Sequence, residues 1–119
     1  MKQYILLFVT SLFVSCSAKE LPTIFENTDD KIVVKLSHQT TKAEIDNIIA
    51  ELKAKNIQMD VIGSKFFDDN RLRSLKLTAM WPDGTVGNIA ADLMNLQFKY
   101  CGFVYDKNGS PILQFAQFE

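Results

Sequence analysis

The chain has 119 residues, with 13 Lys and Arg set against 14 Asp and Glu for a net charge of −1, two cysteines and one histidine. That length holds one ordinary domain behind a leader, not two. The charge balance has no basic excess or stripe, which argues against nucleic acid as a partner, and two cysteines make no disulfide framework.

The first stretch reads MKQYILLFVTSLFVSC. Lys2 gives a short positive start, and residues 4–14 are apolar apart from Thr10 and Ser11. A bilayer-spanning helix needs roughly 20 apolar residues, so this run is too short to span. A charged start, a short apolar core and a small-residue exit describe a secretory signal peptide. Two exits are legible. Cys16-Ser17-Ala18 offers small residues for ordinary cleavage after Ala18. Leu12-Phe13-Val14-Ser15-Cys16 resembles a bacterial lipobox, with Phe13 where Leu is usual, and in that family of signals the cysteine is acylated and becomes the new N-terminus. The lipobox reading is the one adopted: residues 1–16 are a lipoprotein-type leader and Cys16 is the lipidation site. Two or three acyl chains, at about 0.8 kcal/mol per buried methylene, hold a small domain at a membrane. The expected location is the cell envelope, lipid-anchored, or secreted or periplasmic where Cys16 is not acylated. With Cys16 acylated or removed, Cys101 is a lone thiol in an apolar run, which reads as buried.

Residues 17–30 contain Pro22 and end in Asn27-Thr28-Asp29-Asp30, with no period that would bury a face; they read as a tether. Residues 31–119 read as a single domain. Residues 31–36 (KIVVKL) predict a strand with Ile32, Val34 and Leu36 on one face. Thr41-Lys42-Ala43-Glu44 is a capping box, followed by Ile45, Ile48, Ile49 and Leu52 at the spacing of an amphipathic helix. Asn56 suits the left-handed position that ends a helix, with Ile57 folding back on Leu52. A helix over 42–55 follows. Ile57, Met59 and Val61 alternate as a second strand, Gly63 marks a bulge or close approach, and Asp68-Asp69-Asn70 is turn chemistry. Residues 71–81 alternate Leu75, Leu77, Ala79 and Trp81 against Ser74, Lys76 and Thr78, as in an antiparallel sheet with one covered face.

Pro82-Asp83-Gly84 turns the chain. After it Val86, Ile89, Ala90 and Leu93 keep helical spacing, and a short helix over 89–96 is favoured over a competing strand at 85–89. The C-terminal part reads as a hairpin, residues 98–105 and 111–118 around Asn108-Gly109. The fold class expected is α+β: an antiparallel sheet of four to five strands with the 42–55 helix on one face. With the second helix, the order is a ferredoxin-like βαββαβ plus a final strand.

The order strand, helix, strand, turn, strand, then Asp-Gly and a later Asn-Gly hairpin, carried by residues 31–36, 41–57 and 72–84 with Tyr105-Asp106-Lys107-Asn108-Gly109 behind them, resembles a small exported domain. That domain is appended after bacterial membrane zinc metallopeptidases of the BlaR and MecR receptor group. The resemblance spans most of the chain after the leader and implies a free-standing sensor-like or accessory domain. It implies no catalytic residue, because the sequence holds no His-Glu-x-x-His and its 89–96 segment is apolar where those domains tend to be polar.

The residues themselves offer little chemistry. A catalytic metal site usually needs three protein ligands and a serine triad needs a histidine base, but His38, in a polar turn, is the only histidine. Cys101 with His38 is the conceivable nucleophile pair. Asp29-Asp30 and Asp68-Asp69 lack the spaced oxygens of a calcium loop and read as hydrated turns. The expectation is a non-catalytic protein with no metal and no cofactor. Its aromatics suggest a binding face instead, on the C-terminal hairpin: Phe98, Tyr100, Phe103, Tyr105, Leu113 and Phe115 are the candidates, toward an envelope protein or a second copy. The alternative is a peptidase-inhibitor or propeptide-like module presenting an extended tail at 114–119, which is fold-level analogy.

The leader generates the first prediction. Metabolic labelling with a fatty-acid analogue marks the protein, and Cys16→Ser abolishes the label. An unlabelled protein whose mature chain begins at Lys19 would show ordinary cleavage.

Overall fold

The computed structural model describes residues 20–94 and 99–119. In chain order its elements are β1 (Ile24–Asn27), β2 (Lys31–Leu36), α1 (Lys42–Lys53), β3 (Gln58–Asp60), β4 (Lys65–Phe66), β5 (Leu72–Met80), β6 (Val86–Asp92), β7 (Tyr100–Asp106) and β8 (Leu113–Phe118). This is an α+β protein with one helix and two antiparallel sheets of four strands. The first sheet runs β1-β2-β7-β8; in the second, β5 is central, flanked by β6 on one edge and by β3 and β4 on the other.

The helix forms as its caps dictate. The Glu44 amide donates to the Thr41 hydroxyl at 3.2 Å, and the Thr41 amide donates to the Glu44 carboxylate at 2.9 Å. At the other end Asn56 takes φ +62°. There the Ile57 amide reaches the Leu52 carbonyl and the Asn56 amide the Lys53 carbonyl, the paired bonds of a Schellman turn. Ile45, Ile48 and Leu52 are buried on one stripe, and Ile57 joins them just past the turn. The helix ends at Lys53, so Lys55 belongs to the turn.

One cluster of buried side chains joins everything. Ile32, Val34, Leu36, Cys101 and Phe103 come from the first sheet, Leu75, Leu77, Ala79 and Met59 from the second, and Ile45, Ile48 and Leu52 from the helix. Trp81, just past β5, closes one end. Its ring stacks on Tyr105 with centroids 5.5 Å apart and meets Phe103 and Phe115 edge-on at 5.5 and 6.4 Å, while Phe103 and Phe115 lie 5.1 Å apart.

Three expectations are corrected. Residues 86–92 are strand, not the start of a helix over 89–96. The Asp83-Gly84 turn, with Gly84 at φ +91°, sends the chain straight back along β5, and an unbroken register runs from Met80↔Val86 to Ser74↔Asp92. Residues 95 and 96 lie outside the described residues. The inward row of this strand is Gly87, Ile89 and Ala91, opposite Ala79, Leu77 and Leu75; small residues alternating with one Ile give a weak period of two, and Ile89 fits both periods. The βαββαβ order goes with it, since the observed order is ββα followed by six strands. The tether over 17–30 is corrected from about residue 21 onward. Ile24–Asn27 pairs with β2, and the turn after β2 holds the residues before it: the Ser37 hydroxyl donates to the Leu21 carbonyl at 2.7 Å, and the Thr23 and Thr40 hydroxyls are 2.8 Å apart. Single buried hydroxyls, not a hydrophobic period, dock this segment. Residues 17–19 lie outside the described residues.

Two glycines set the closest approaches. A Cβ on Gly87 would collide with the Phe115 ring, and one on Gly102 would collide with the Val34 carbonyl oxygen of the adjacent strand. A ring can rotate aside; a backbone inside a sheet cannot. Gly87→Ala is therefore expected to cost about 1–3 kcal/mol, the ordinary range for overpacking, and Gly102→Ala more. Phe115→Leu should recover part of the Gly87→Ala loss and none of the Gly102→Ala loss. Urea unfolding of the single and double variants reads this directly.

Candidate functional site

The hairpin expected to carry a binding face is present, β7 pairing with β8 from Tyr100↔Phe118 to Tyr105↔Leu113. Its side chains are corrected, because the six candidates do not make one open face. Phe103 is fully buried, while Tyr105, Leu113 and Phe115 pack against the same core on the inward side. Tyr100 points the other way, is 7% exposed and donates its hydroxyl to the Pro22 carbonyl at 3.0 Å. Phe98 lies outside the described residues, as does Cys16. The reason is the second sheet: the sequence shows two apolar hairpin faces, and β6 with Trp81 supplies the layer that covers one of them.

The groups with reactive chemistry are also placed. Cys101 sits opposite Leu36, fully buried, and burial pushes its thiol up to about 11. It is held protonated and shielded, the reverse of an activated nucleophile. His38 lies partly exposed in the turn after β2, between Ser37 and Gln39, whose polar atoms bond within that turn and to Leu21. In the second acid pair, Asp69 accepts from the Arg71 amide at 3.1 Å and from its Nε at 2.6 Å, and the backbone bond first, then the guanidinium, hold its carboxyl below the usual range. It caps a turn. Among the described residues, no group of three or more His, Cys, Asp or Glu side chains is gathered where it could hold a metal ion. No helix among them is long and apolar enough to cross a membrane.

Among the described residues two concave features stand out, neither anticipated from sequence. One, of about 340 Å³, lies between the β1 segment and the first half of α1 and is lined by Thr23, Phe25, Ala43, Glu44, Asn47 and Ile48. The other, of about 400 Å³, lies between the end of α1 and β3 and is lined by Ile49, Lys53, Asn56, Ile57, Gln58 and Met59. The second is the better-furnished site. Ile57 and Met59 are buried, Ile49 is half-buried, and Lys53, Asn56 and Gln58 stand exposed around them. An apolar floor with a few polar groups at the rim is the general make-up of a recognition site. The one hint in the sequence is Ile49, an apolar residue one step off the stripe that Ile45, Ile48 and Leu52 bury.

No family model, curated protein or solved structure matches the chain.

The buried thiol gives a measurable pH dependence. The folded-state pKa of Cys101, about 11, stands above its ordinary 9.0, so the unfolded chain releases that proton first as pH rises. Its contribution to stability is whole below about pH 9 and is lost as pH climbs through 11. Cys101→Ala should flatten the fall in stability across that window relative to wild type, in urea unfolding at several pH values. In the native chain at pH 8 the thiol should react with a soluble thiol reagent only as fast as the protein unfolds; prompt labelling would contradict its burial.

Proposed function

We propose that the chain is a non-catalytic binding or accessory module of the cell envelope, tethered to a membrane through a lipid on Cys16. The observation that carries this reading is the leader, an apolar run too short to span that ends at Ser15-Cys16. Several facts of the fold support it. The groups singled out for chemistry have structural work: Cys101 fills the core and Asp69 closes a turn. The domain packs Trp81, Phe103, Tyr105 and Phe115 on a single core and leaves a furnished groove at the end of α1. The likeness in element order to the domains of the BlaR and MecR group supports a sensor-like or accessory role by analogy alone.

The inhibitor or propeptide-like alternative draws on a βαββαβ arrangement and a free C-terminal tail. Here β6 occupies the place of the second helix, and Leu113–Phe118 is paired into the sheet. Neither feature favours it.

Cell fractionation with protease tests the proposal. The full chain is expected to sediment with membranes and to be digested by protease added outside the cytoplasmic membrane of intact spheroplasts, and Cys16→Ser should move it to the soluble exported fraction. A chain protected until the cells are lysed would overturn the reading.

A further inference from the structure

The two grooves differ in how they meet the sheet. Thr23 and Phe25, which line the first, are two residues apart and so present the same side of an extended segment. That groove lies over a face. Ile57, Gln58 and Met59, which line the second, are consecutive. Ile57 precedes the strand, but Gln58 and Met59 are neighbours within it, and successive strand side chains point to opposite faces, so the groove meets that strand at its edge. The strand is β3. One of its edges is taken by β5, through Gln58↔Met80, Met59↔Ala79 and Asp60↔Thr78; no strand lies against the other edge among the described residues. An unpaired strand edge carries main-chain N–H and C=O groups, the template to which an extended chain adds.

The walls state what kind of chain fits. The apolar floor, Ile49, Ile57 and Met59, seats an aliphatic or aromatic side chain. Lys53 is the only charged side chain lining the groove. It is exposed and has no ion-pair partner among the described residues, whereas Lys55, two residues on, is committed to the Thr28 carbonyl. With a lone cation and no aromatic ring for bases or sugars to stack on, the groove is poorly suited to nucleic acid or carbohydrate.

We infer that this groove receives an extended peptide segment of a partner protein. The segment adds as a strand to the free edge of β3, sets an apolar side chain on Ile49, Ile57 and Met59, and presents a carboxylate to Lys53. The inference rests on the binding-module reading and names its site and partner class. Main-chain bonds to β3 supply sequence-independent affinity; the floor and Lys53 select.

The test uses the full chain in detergent and a displayed library of random peptides about ten residues long, enough to overrun β3 at both ends. Enriched peptides should carry an acidic residue near apolar ones and no proline where they pair. A selected peptide should slow hydrogen exchange of an amide within Gln58–Asp60 more than about tenfold. Lys53→Glu should weaken it at least about tenfold while the thermal midpoint falls only by the small cost of a reversed charge in the last helical turn, and the same peptide with its acid changed to lysine should regain affinity for that variant. Ile49→Ala should weaken it as well. Peptides indifferent to both substitutions bind elsewhere; that result overturns the groove and leaves the module reading standing. A library that yields no binder overturns peptide recognition, and the module reading is then judged on the protease experiment alone. Sedimentation showing a dimer that Lys53→Glu dissolves would assign the edge to a second copy and overturn the separate partner.

Discussion

The Phe115 ring resting on the bare backbone of Gly87 is the contact that fixes how the two sheets meet. Phe115 belongs to the edge strand of the first sheet and Gly87 to the edge strand of the second, and no Cβ fits between them. Once Phe115 is seated there, Phe103 lies beside it, Trp81 stands edge-on to both and Tyr105 stacks on Trp81. Aromatic pairs of this kind contribute roughly 0.5–1.5 kcal/mol each beyond the area they bury. The arrangement has a cost. The Trp81 Nε1 is buried with no hydrogen-bond partner among the described residues, a loss of about 1–3 kcal/mol for a desolvated donor. Four ring–ring contacts outweigh one unmet donor, and the indole stays inside.

That cluster decides where binding chemistry does not sit. A hairpin rich in Phe and Tyr reads as an interaction face when the rest of the domain is imagined as one sheet and one helix. In a two-sheet domain the same rings are the mortar between layers. What is left at the surface is a modest set of exposed apolar residues, Ile62, Met80, Val86, Met94 and Ile112. The furnished concavity lies at the other side of the helix, where α1 hands the chain to β3.

The sequence carried the parts of the fold that are encoded locally. Thr41 and Glu44, Asn56 and Ile57, and Asp83-Gly84 each act on neighbours a few residues away, and each did in the fold what its chemistry required. What was not legible depended on distant partners. Gly87 and Ala91 look like poor strand residues until Phe115 and Leu75 stand opposite them. Ile24–Asn27 shows no pattern by itself because a four-residue edge strand held by main-chain pairing to β2, with only Phe25 packed on the core, needs none. The groove was hidden for the same reason: its lining comes from one short stretch, residues 49–59, but its being open depends on no strand lying beyond β3.

An edge left open calls for an explanation, since unpaired strands invite aggregation and are usually blunted. The β3 edge is managed in two ways. It is only three residues long, too short to nucleate sheet stacking by itself, and it ends at Asp60, whose carboxylate accepts the Ile62 amide at 3.2 Å and places a charge where pairing would continue. The helix stands along its length and leaves room for a groove of about 400 Å³. A second sheet cannot enter such a slot, but a single extended segment can, and the lysine at its rim favours a segment carrying a carboxylate. The features that keep the edge from pairing with any strand at hand are the same ones that would let it pair selectively with one.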